Sequence, residues 1–179
     1  MRSTGKYEIF FQDECHFQRT CSTARSWYLK GKAPTLPSPV GKEKVSIAGA
    51  VSQETGALFV VTASKFNAVS FKRFLQKFLK NRTRRKKKKV LLVLDNARYH
   101  KAKELKDYLE QVKDRLELLF LPPYSPDLNP IEMVWRETRR DVTNNRYFTS
   151  LIQQKQKLLK YWNGYAKGSD KMIKISAFY

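Results

Sequence analysis

Hydrophobic positions recur along this chain with two different periods. Residues 7–13, Tyr-Glu-Ile-Phe-Phe-Gln-Asp, alternate, so that Ile9, Phe11 and Asp13 share one face of a predicted strand. Residues 44–51 and 57–63 are again strand-like. The turn Gln53-Glu54-Thr55-Gly56 between them predicts a hairpin. From Asn67, an N-cap, the period lengthens. Phe71, Phe74, Leu75, Phe78 and Leu79 then make the inner face of a helix ending near Asn81. Residues 90–94 are apolar without a break and run into Asp95, the pattern of a strand covered on both faces. A helix from about Lys101 to Val112 and a strand at 116–121 follow. The stripe Ile131, Val134, Trp135 and Thr138 then predicts a helix to about Asn145. Ser150-x-x-Gln153 reads as a capping box opening a last helix, which Gly164 and Gly168 end. Residues 170–179 read as a short strand or a loose end. The order predicts an α/β domain with a mixed sheet and helices on both faces. The hairpin should lie antiparallel to strand 7–13, with strands 90–95 and 116–121 parallel to it. No internal repeat or second domain is visible: the expected core is about 7–146, with a helical extension at about 147–179.

Two connections stand out. Residues 17–42 form a long, punctuated one, with a short strand at 25–29 as one reading; loops of this length tend to be functional. Arg25 and Lys30 bracket Trp27 and Tyr28, an interleaving that suits nucleic-acid backbone and unstacked bases. The alternative is that Trp27 staples the loop to the core. The second connection, Leu121-Pro-Pro-Tyr-Ser-Pro-Asp-Leu-Asn-Pro-Ile-Glu132, is held extended by Pro122, Pro123 and Pro126. Asn129 is then the expected N-cap and Pro130 the first helical residue. Glu132 has two readings here: the far half of a capping box with Asn129, or an acid delivered stiffly to a site.

Charge changes the picture. Lys and Arg number 36 against 16 acids, a formal +20, which calls for a polyanionic partner. No predicted helix pairs a basic face with a strong membrane-binding face, so nucleic acid leads and no membrane role is expected. Seven of the eight residues Arg82, Thr83, Arg84, Arg85, Lys86, Lys87, Lys88 and Lys89 are basic, as phosphate contacts or as a solvated connector. No apolar run is long enough to span a bilayer and no signal peptide is visible. Cys15 and Cys21 make no disulfide framework, which suits a cytosol-like compartment. With His16 they lack a fourth ligand for zinc.

Three acids sit at the ends of predicted elements: Asp13, Asp95 and Glu132. If the two Asp strands are neighbours, their C-terminal ends lie together, where open α/β sheets place their sites. Three converging carboxylates repel one another unless a cation neutralises them, and hard oxygen donors select Mg²⁺ or Mn²⁺. Two such ions, roughly 3.5–4 Å apart, suit in-line attack at a phosphodiester.

The motifs carry a more specific signal. Gln12-Asp13-Glu14, Leu94-Asp95-Asn96-Ala97-Arg98-Tyr99-His100 and the block from Leu121 to Trp135 resemble the three blocks of mariner-type and related bacterial insertion-sequence transposases. Arg25-Ser26-Trp27 to Gly31 and the strand containing Gly49-Ala50 resemble the family's segment after the first acid. The likeness covers roughly residues 7–150. It implies the ribonuclease H-like fold shared with retroviral integrases, and Asp13, Asp95 and Glu132 as the DDE ligands of two Mg²⁺ or Mn²⁺ ions. The 36 residues between Asp95 and Glu132 fit the family's spacing. It further implies DNA as substrate, a homodimer in the active complex, and a cytoplasmic enzyme associated with the nucleoid when bound. Asn96, His100 and Asn129 take roles behind the ligands or facing DNA. The family's N-terminal helix-turn-helix modules are expected to be absent, since the first strand starts near residue 7. The expected function is metal-dependent DNA cleavage and strand transfer. The rivals are a nuclease of the same fold that cuts without joining, and a basic DNA-binding remnant without catalysis.

Overall fold

A computed structural model describes residues 6–20, 22–32, 35–37, 41–82, 88–123 and 125–177. Among these described residues five strands, β1 (Tyr7–Gln18), β2 (Lys44–Val51), β3 (Leu58–Ala63), β4 (Lys89–Leu94) and β5 (Leu116–Phe120), form one sheet in the order β3-β2-β1-β4-β5. The hairpin β2–β3 pairs antiparallel to β1, and β4 and β5 run parallel to β1, as the periodicity predicts. Helix α1 (Ala68–Arg82) covers one face; α3 (Ile131–Thr138), α4 (Leu151–Asn163) and α5 (Asp170–Ile175) cover the other. Short α2 (Lys106–Gln111) lies on the edge of the α1 face.

Strand alternation decides which side chain enters which layer. Phe10 and Leu92 point to α1 and meet Phe71, Phe74 and Phe78; Phe11 and Val93 point the other way and meet Ile131 and Trp135. Each fully buried Phe contributes about 1.5–3 kcal/mol relative to exposure. Asn67 starts α1 as expected: its Oδ1 accepts from the Ser70 amide at 2.9 Å, and Lys80 and Arg82 sit favourably at the C-terminal end.

Several boundaries differ from expectation. β1 continues five residues past Asp13, because the alternation goes on through buried Cys15 and Phe17 and β2 supplies a partner as far as Lys44. The expected helix from 101 to 112 is broken into turns of 3-10 helix at Arg98–Lys101 and Lys103–Leu105 before α2, with Ala102 extended between them. This delivers the His100 ring into the core, 4.3 Å from the Phe71 ring. α3 ends at Thr138 and passes into a wider π turn, Arg139–Thr143, which does not reach 145. No strand forms at 25–29; among its described residues the loop bridges Ser22 with Asn144. Residues 170–175 are helical, capped by Ser169 and anchored by buried Met172. The expected extension is packed into the core: Trp162 is buried and donates from Nε1 to Thr138 Oγ1 at 3.1 Å.

Candidate active site

The site forms where β4 stops. Pairing of β1 with β4 ends at Phe11–Val93, and two residues farther along the chain stand Asp13 and Asp95. Parallel neighbours run about 4.8 Å apart, so adjacent strands bring the two acids to one edge. Asp13 lies inside β1, with only β2 beside it. Asp95 lies beyond β4, in the chain that leads to the 3-10 turns.

Asp13 is held from the α3 face. Trp135, fully buried, donates from Nε1 to Asp13 Oδ2 at 3.0 Å. The residue opposite Asp13 on β2 is Gly49, where a Cβ would stand 2.5 Å from Trp135 Cη2. Glycine there makes room for the ring that orients the acid.

The proline-rich connection brings Glu132 to the same place. Asn129 does not cap α3, contrary to expectation: the helix begins after Pro130 with no side-chain cap. Asn129 instead donates from Nδ2 to the Gln12 carbonyl at 3.1 Å, tying the start of α3 to β1 one residue before Asp13. The tertiary contact wins over the local one because the Gln12 carbonyl lies past the end of β4 pairing, where a buried acceptor needs a donor. Glu132, exposed at the second position of α3, makes no capping box. With Asp13, Asp95, Asn96, Pro122 and Asn129 it lines a cavity of about 460 Å³. Asn96 donates to the Leu121 carbonyl, fastening the Asp95 loop to the proline segment.

Electrostatics fit an oxygen-ligated cation. Burial and then the charge of Glu132 push the Asp13 carboxyl up to about 8. A divalent ion among these groups would relieve both penalties. Asn129 Oδ1, buried without a hydrogen-bond partner among the described residues, adds a neutral oxygen to the lining. Hard donors of this kind suit Mg²⁺ or Mn²⁺. Among the described residues, however, no three His, Cys, Asp or Glu side chains are grouped closely enough to hold one ion. Asp95 Oδ1 instead accepts from the Ala97 amide at 3.0 Å and lies 3.1 Å from His100 Nδ1.

Residues 8–155 match the family described as DDE superfamily endonuclease. The chain belongs to the DDE superfamily of endonucleases. It is 25% identical over 155 residues to the insertion element IS630 uncharacterized 39 kDa protein of Shigella sonnei, covering 87% of this chain and 44% of that one. It is 30% identical over 168 residues to the Tc3 transposase of Caenorhabditis elegans, covering 89% and 50%. The chain thus spans about half the length of these relatives. Among solved structures, the Mos1 strand transfer complex is similar at a TM-score of 0.69 and 20% identity, over 98% of this chain and 52% of that one. The catalytic domain of Mos1 mariner transposase is similar at 0.61 and 18%, over 98% and 81%. These likenesses identify the fold as ribonuclease H-like.

The residues expected to meet DNA divide in this DDE domain. Arg25, Trp27 and Lys30 are exposed, and Trp27 is 100% exposed, so it does not staple the loop to the core. Arg82 points inward: it pairs with buried Glu8 and lies over the Phe10 ring at 4.6 Å, because an acid buried in β1 needs a cation. Lys89 pairs with Glu117 across β4 and β5 at 3.1 Å. Lys88 is exposed; Arg84, Arg85, Lys86 and Lys87 lie outside the described residues, as does Cys21. Cys15 is buried, takes a 2.9 Å contact from Arg139, and has its thiol pushed up to about 12 by burial, so it is no metal ligand in waiting.

Sequence reasoning missed Trp135 as the partner of Asp13, and it missed Glu14. Burial alone would raise the Glu14 carboxyl, but His100, Gln12 and Tyr99 outweigh it and hold it below the usual range. The available signal was the run Gln12-Asp13-Glu14 inside an otherwise apolar strand, since polar groups there need partners.

Proposed function

We propose that this chain is the catalytic domain of a DDE transposase, which hydrolyses DNA strands and joins the freed 3′ hydroxyl to target DNA. The observation that carries the reading is the shared cavity of Asp13 inside β1, Asp95 just past β4 and Glu132 at the start of α3. Asp13, Asp95 and Glu132 would hold Mg²⁺ or Mn²⁺. Such ions, when bound, supply activation of the water or hydroxyl nucleophile and charge neutralisation at the leaving oxygen. The protein's own contribution is placement. Trp135 fixes Asp13, Asn129 sets α3 and Glu132 against β1, and Asn96 ties the Asp95 loop to the proline segment. The net charge of +20 supplies attraction for a DNA backbone, with exposed Arg25, Lys30 and Lys88 among the contacts and the residues of the basic run 84–87 as further candidates by sequence. Joining two ends to one target suits a homodimer. A complex of the relative Mos1 is described as a paired-end complex, in line with this reading. Among the described residues no helix is long and apolar enough to cross a membrane. We place this activity in the cytoplasm, on the nucleoid.

The test is a strand-transfer assay with a pre-cut end carrying a 3′ hydroxyl, run with Mg²⁺ and with Mn²⁺. Joined product that disappears in Asp95→Asn supports the transposase reading. Cutting without joining assigns the chain to a nuclease of the same fold. DNA binding with neither makes it a remnant.

A further inference from the structure

Resting on that reading, we propose that Glu14 and His100 are positioning residues for Asp95, a buried carboxylate–imidazole pair that sets which Asp95 oxygen is offered to the cation. His100 is 1% exposed. Its Nδ1 lies 3.1 Å from Asp95 Oδ1 and 3.4 Å from the Asp95 carbonyl oxygen, and its Nε2 lies 3.4 Å from Glu14 Oε1. Glu14 is fixed in turn: Gln12 Nε2 donates to its Oε1 at 2.8 Å and the Tyr99 hydroxyl to its Oε2 at 2.9 Å. The Phe71 and Tyr99 rings wedge the imidazole at centroid distances of 4.3 and 4.4 Å.

A structural role alone does not account for this arrangement. Glu14 follows Asp13 on β1 and therefore faces the opposite layer, with buried Gln12 beside it along the strand and apolar Ala48 opposite it on β2. A buried carboxylate there is costly, and replacing a buried ionic pair by apolar side chains is often neutral or stabilising. What the pair reaches, and an apolar pair would not, is Asp95. With Oδ1 engaged by His100 and by the Ala97 amide, Oδ2 is left as the oxygen for the cation. One strand thus carries Asp13 into the cavity directly and, through the next residue, steers the acid just past the neighbouring strand. Partners behind metal ligands work this way in general, and their loss typically costs 10–100-fold in metal affinity.

The test measures Mn²⁺ binding by the free-ion paramagnetic signal, with thermal unfolding alongside, in the absence of DNA. Asp95→Asn is the control for the underlying reading. Glu14→Gln is expected to weaken Mn²⁺ binding by about 10–100-fold while the domain still unfolds cooperatively. Two His100 variants separate positioning from filling. His100→Asn keeps an amide nitrogen near the place of Nδ1 and so retains the Asp95 contact. His100→Gln reaches only toward Glu14. Positioning predicts tighter Mn²⁺ binding in Asn than in Gln; core filling predicts Gln to be equal or better, because it occupies more of the space. Tyr99→Phe removes one hydroxyl donor from Glu14, should weaken binding a few-fold (about 2–5-fold, well below the full range), and serves if Glu14→Gln does not fold. Unchanged affinity in Glu14→Gln and Tyr99→Phe, with affinity lost in Asp95→Asn, overturns the proposal and leaves the DDE reading standing. Unchanged affinity in Asp95→Asn overturns both.

Discussion

Asp13 inside β1 and Asp95 just past the parallel neighbour β4 stand at the same level, yet the protein holds them by opposite means. Asp13 stays inside β1, half-buried, with Trp135 on its Oδ2 and Asn129 fastening α3 alongside. Asp95 has left β4, its side chain is 55% exposed, and its contacts come from the loop that follows, the Ala97 amide and the His100 ring. The difference teaches where the two costs of a carboxylate site reside. Asp13 bears the desolvation, with its carboxyl pushed up to about 8, and is held by Trp135; Asp95 is oriented from the loop by the Ala97 amide and the His100 ring. A cation entering the cavity meets one acid already set by the core and one that the loop must present.

The largest expected effect tests whether both acids work in one site. Asp13→Asn, Asp95→Asn and Glu132→Gln should each abolish metal-dependent cleavage, by about 10³-fold or more, since each removes a charged oxygen donor worth several kcal/mol. Their stabilities should part company. Asp95→Asn should unfold within about 0.5 kcal/mol of wild type, as exposed substitutions do, whereas Asp13→Asn should be more stable at pH 8 because it removes a buried charge beside Glu132. Denaturant unfolding of the three variants at pH 8 checks this. Equal stabilities would erase the contrast between the acids. Full cleavage by Glu132→Gln would leave the domain without its third acid.

The next effect is on pH dependence. In the unfolded chain Asp13 ionises near pH 4; in the folded chain it does so near pH 8. Between these values the folded state holds the additional proton, so the Asp13 contribution lowers stability as pH rises from about 4 to about 8 and is flat above that. Mg²⁺ favours the ionised form and should therefore raise Tm more at pH 8 than at pH 6. The measurement is Tm against pH with and without Mg²⁺, repeated for Asp13→Asn, in which the Asp13 slope should vanish. A Mg²⁺ increment independent of pH would mean that Asp13 is not the group the ion relieves.

Smaller effects probe how Asp13 is seated. Gly49→Ala forces a Cβ against the Trp135 ring and should cost about 1–3 kcal/mol by overpacking. Trp135→Phe keeps most of the volume and removes the bond to Asp13, at a cost of about 1.5–3 kcal/mol at pH 8 for a hydrogen bond to a charged group. Unfolding free energies check both. A Gly49→Ala variant as stable as wild type would show that the ring has slack, and that Asp13 is less rigid than its burial suggests.

Much of this was legible in the residues, for physical reasons that also mark where legibility stops. Alternation in 7–13 and the unbroken run 90–94 sufficed for sheet topology, because a strand's period of two tells its faces apart. The three acids could be picked out because each interrupts or closes an apolar pattern: Asp13 inside β1, Asp95 just past β4 and Glu132 at the start of α3. Asn129 was misread because Asn-Pro-x-Glu satisfies a local capping rule, and only the fold supplies the competing Gln12 carbonyl. Glu14 was hidden because its partners Tyr99 and His100 are 85 and 86 residues away, and because an acid alternating away from Asp13 reads as solvent-facing until α1 and the 3-10 turns cover it. Arg82, first in a basic run, looked like a phosphate contact; the buried Glu8 that claims it is 74 residues away.

The smallest effect on the fold is expected in the loop after β1, and it carries the comparison from carboxylates to tryptophans. Trp135 is fully buried and orients Asp13; Trp27 is fully exposed, with Tyr28 at 47% and Leu29 at 73% beside it. The root of the Trp27 loop is ordered without the ring. Asn145 accepts from the Ala24 amide at 2.8 Å and donates to the Ala24 carbonyl at 3.0 Å. Trp27→Ala should therefore change stability by no more than about 0.5 kcal/mol. Placed between Arg25 and Lys30, an exposed indole suits stacking on an unpaired base, worth about 1–3 kcal/mol in single-strand binding. That loss should persist at high salt, whereas neutralising Arg25 and Lys30 should flatten the dependence of log affinity on log salt. A Trp27→Ala variant that melts well below wild type would place the ring among the residues holding the domain together. One that binds single-stranded DNA at full affinity would leave the loop without a nucleic-acid role.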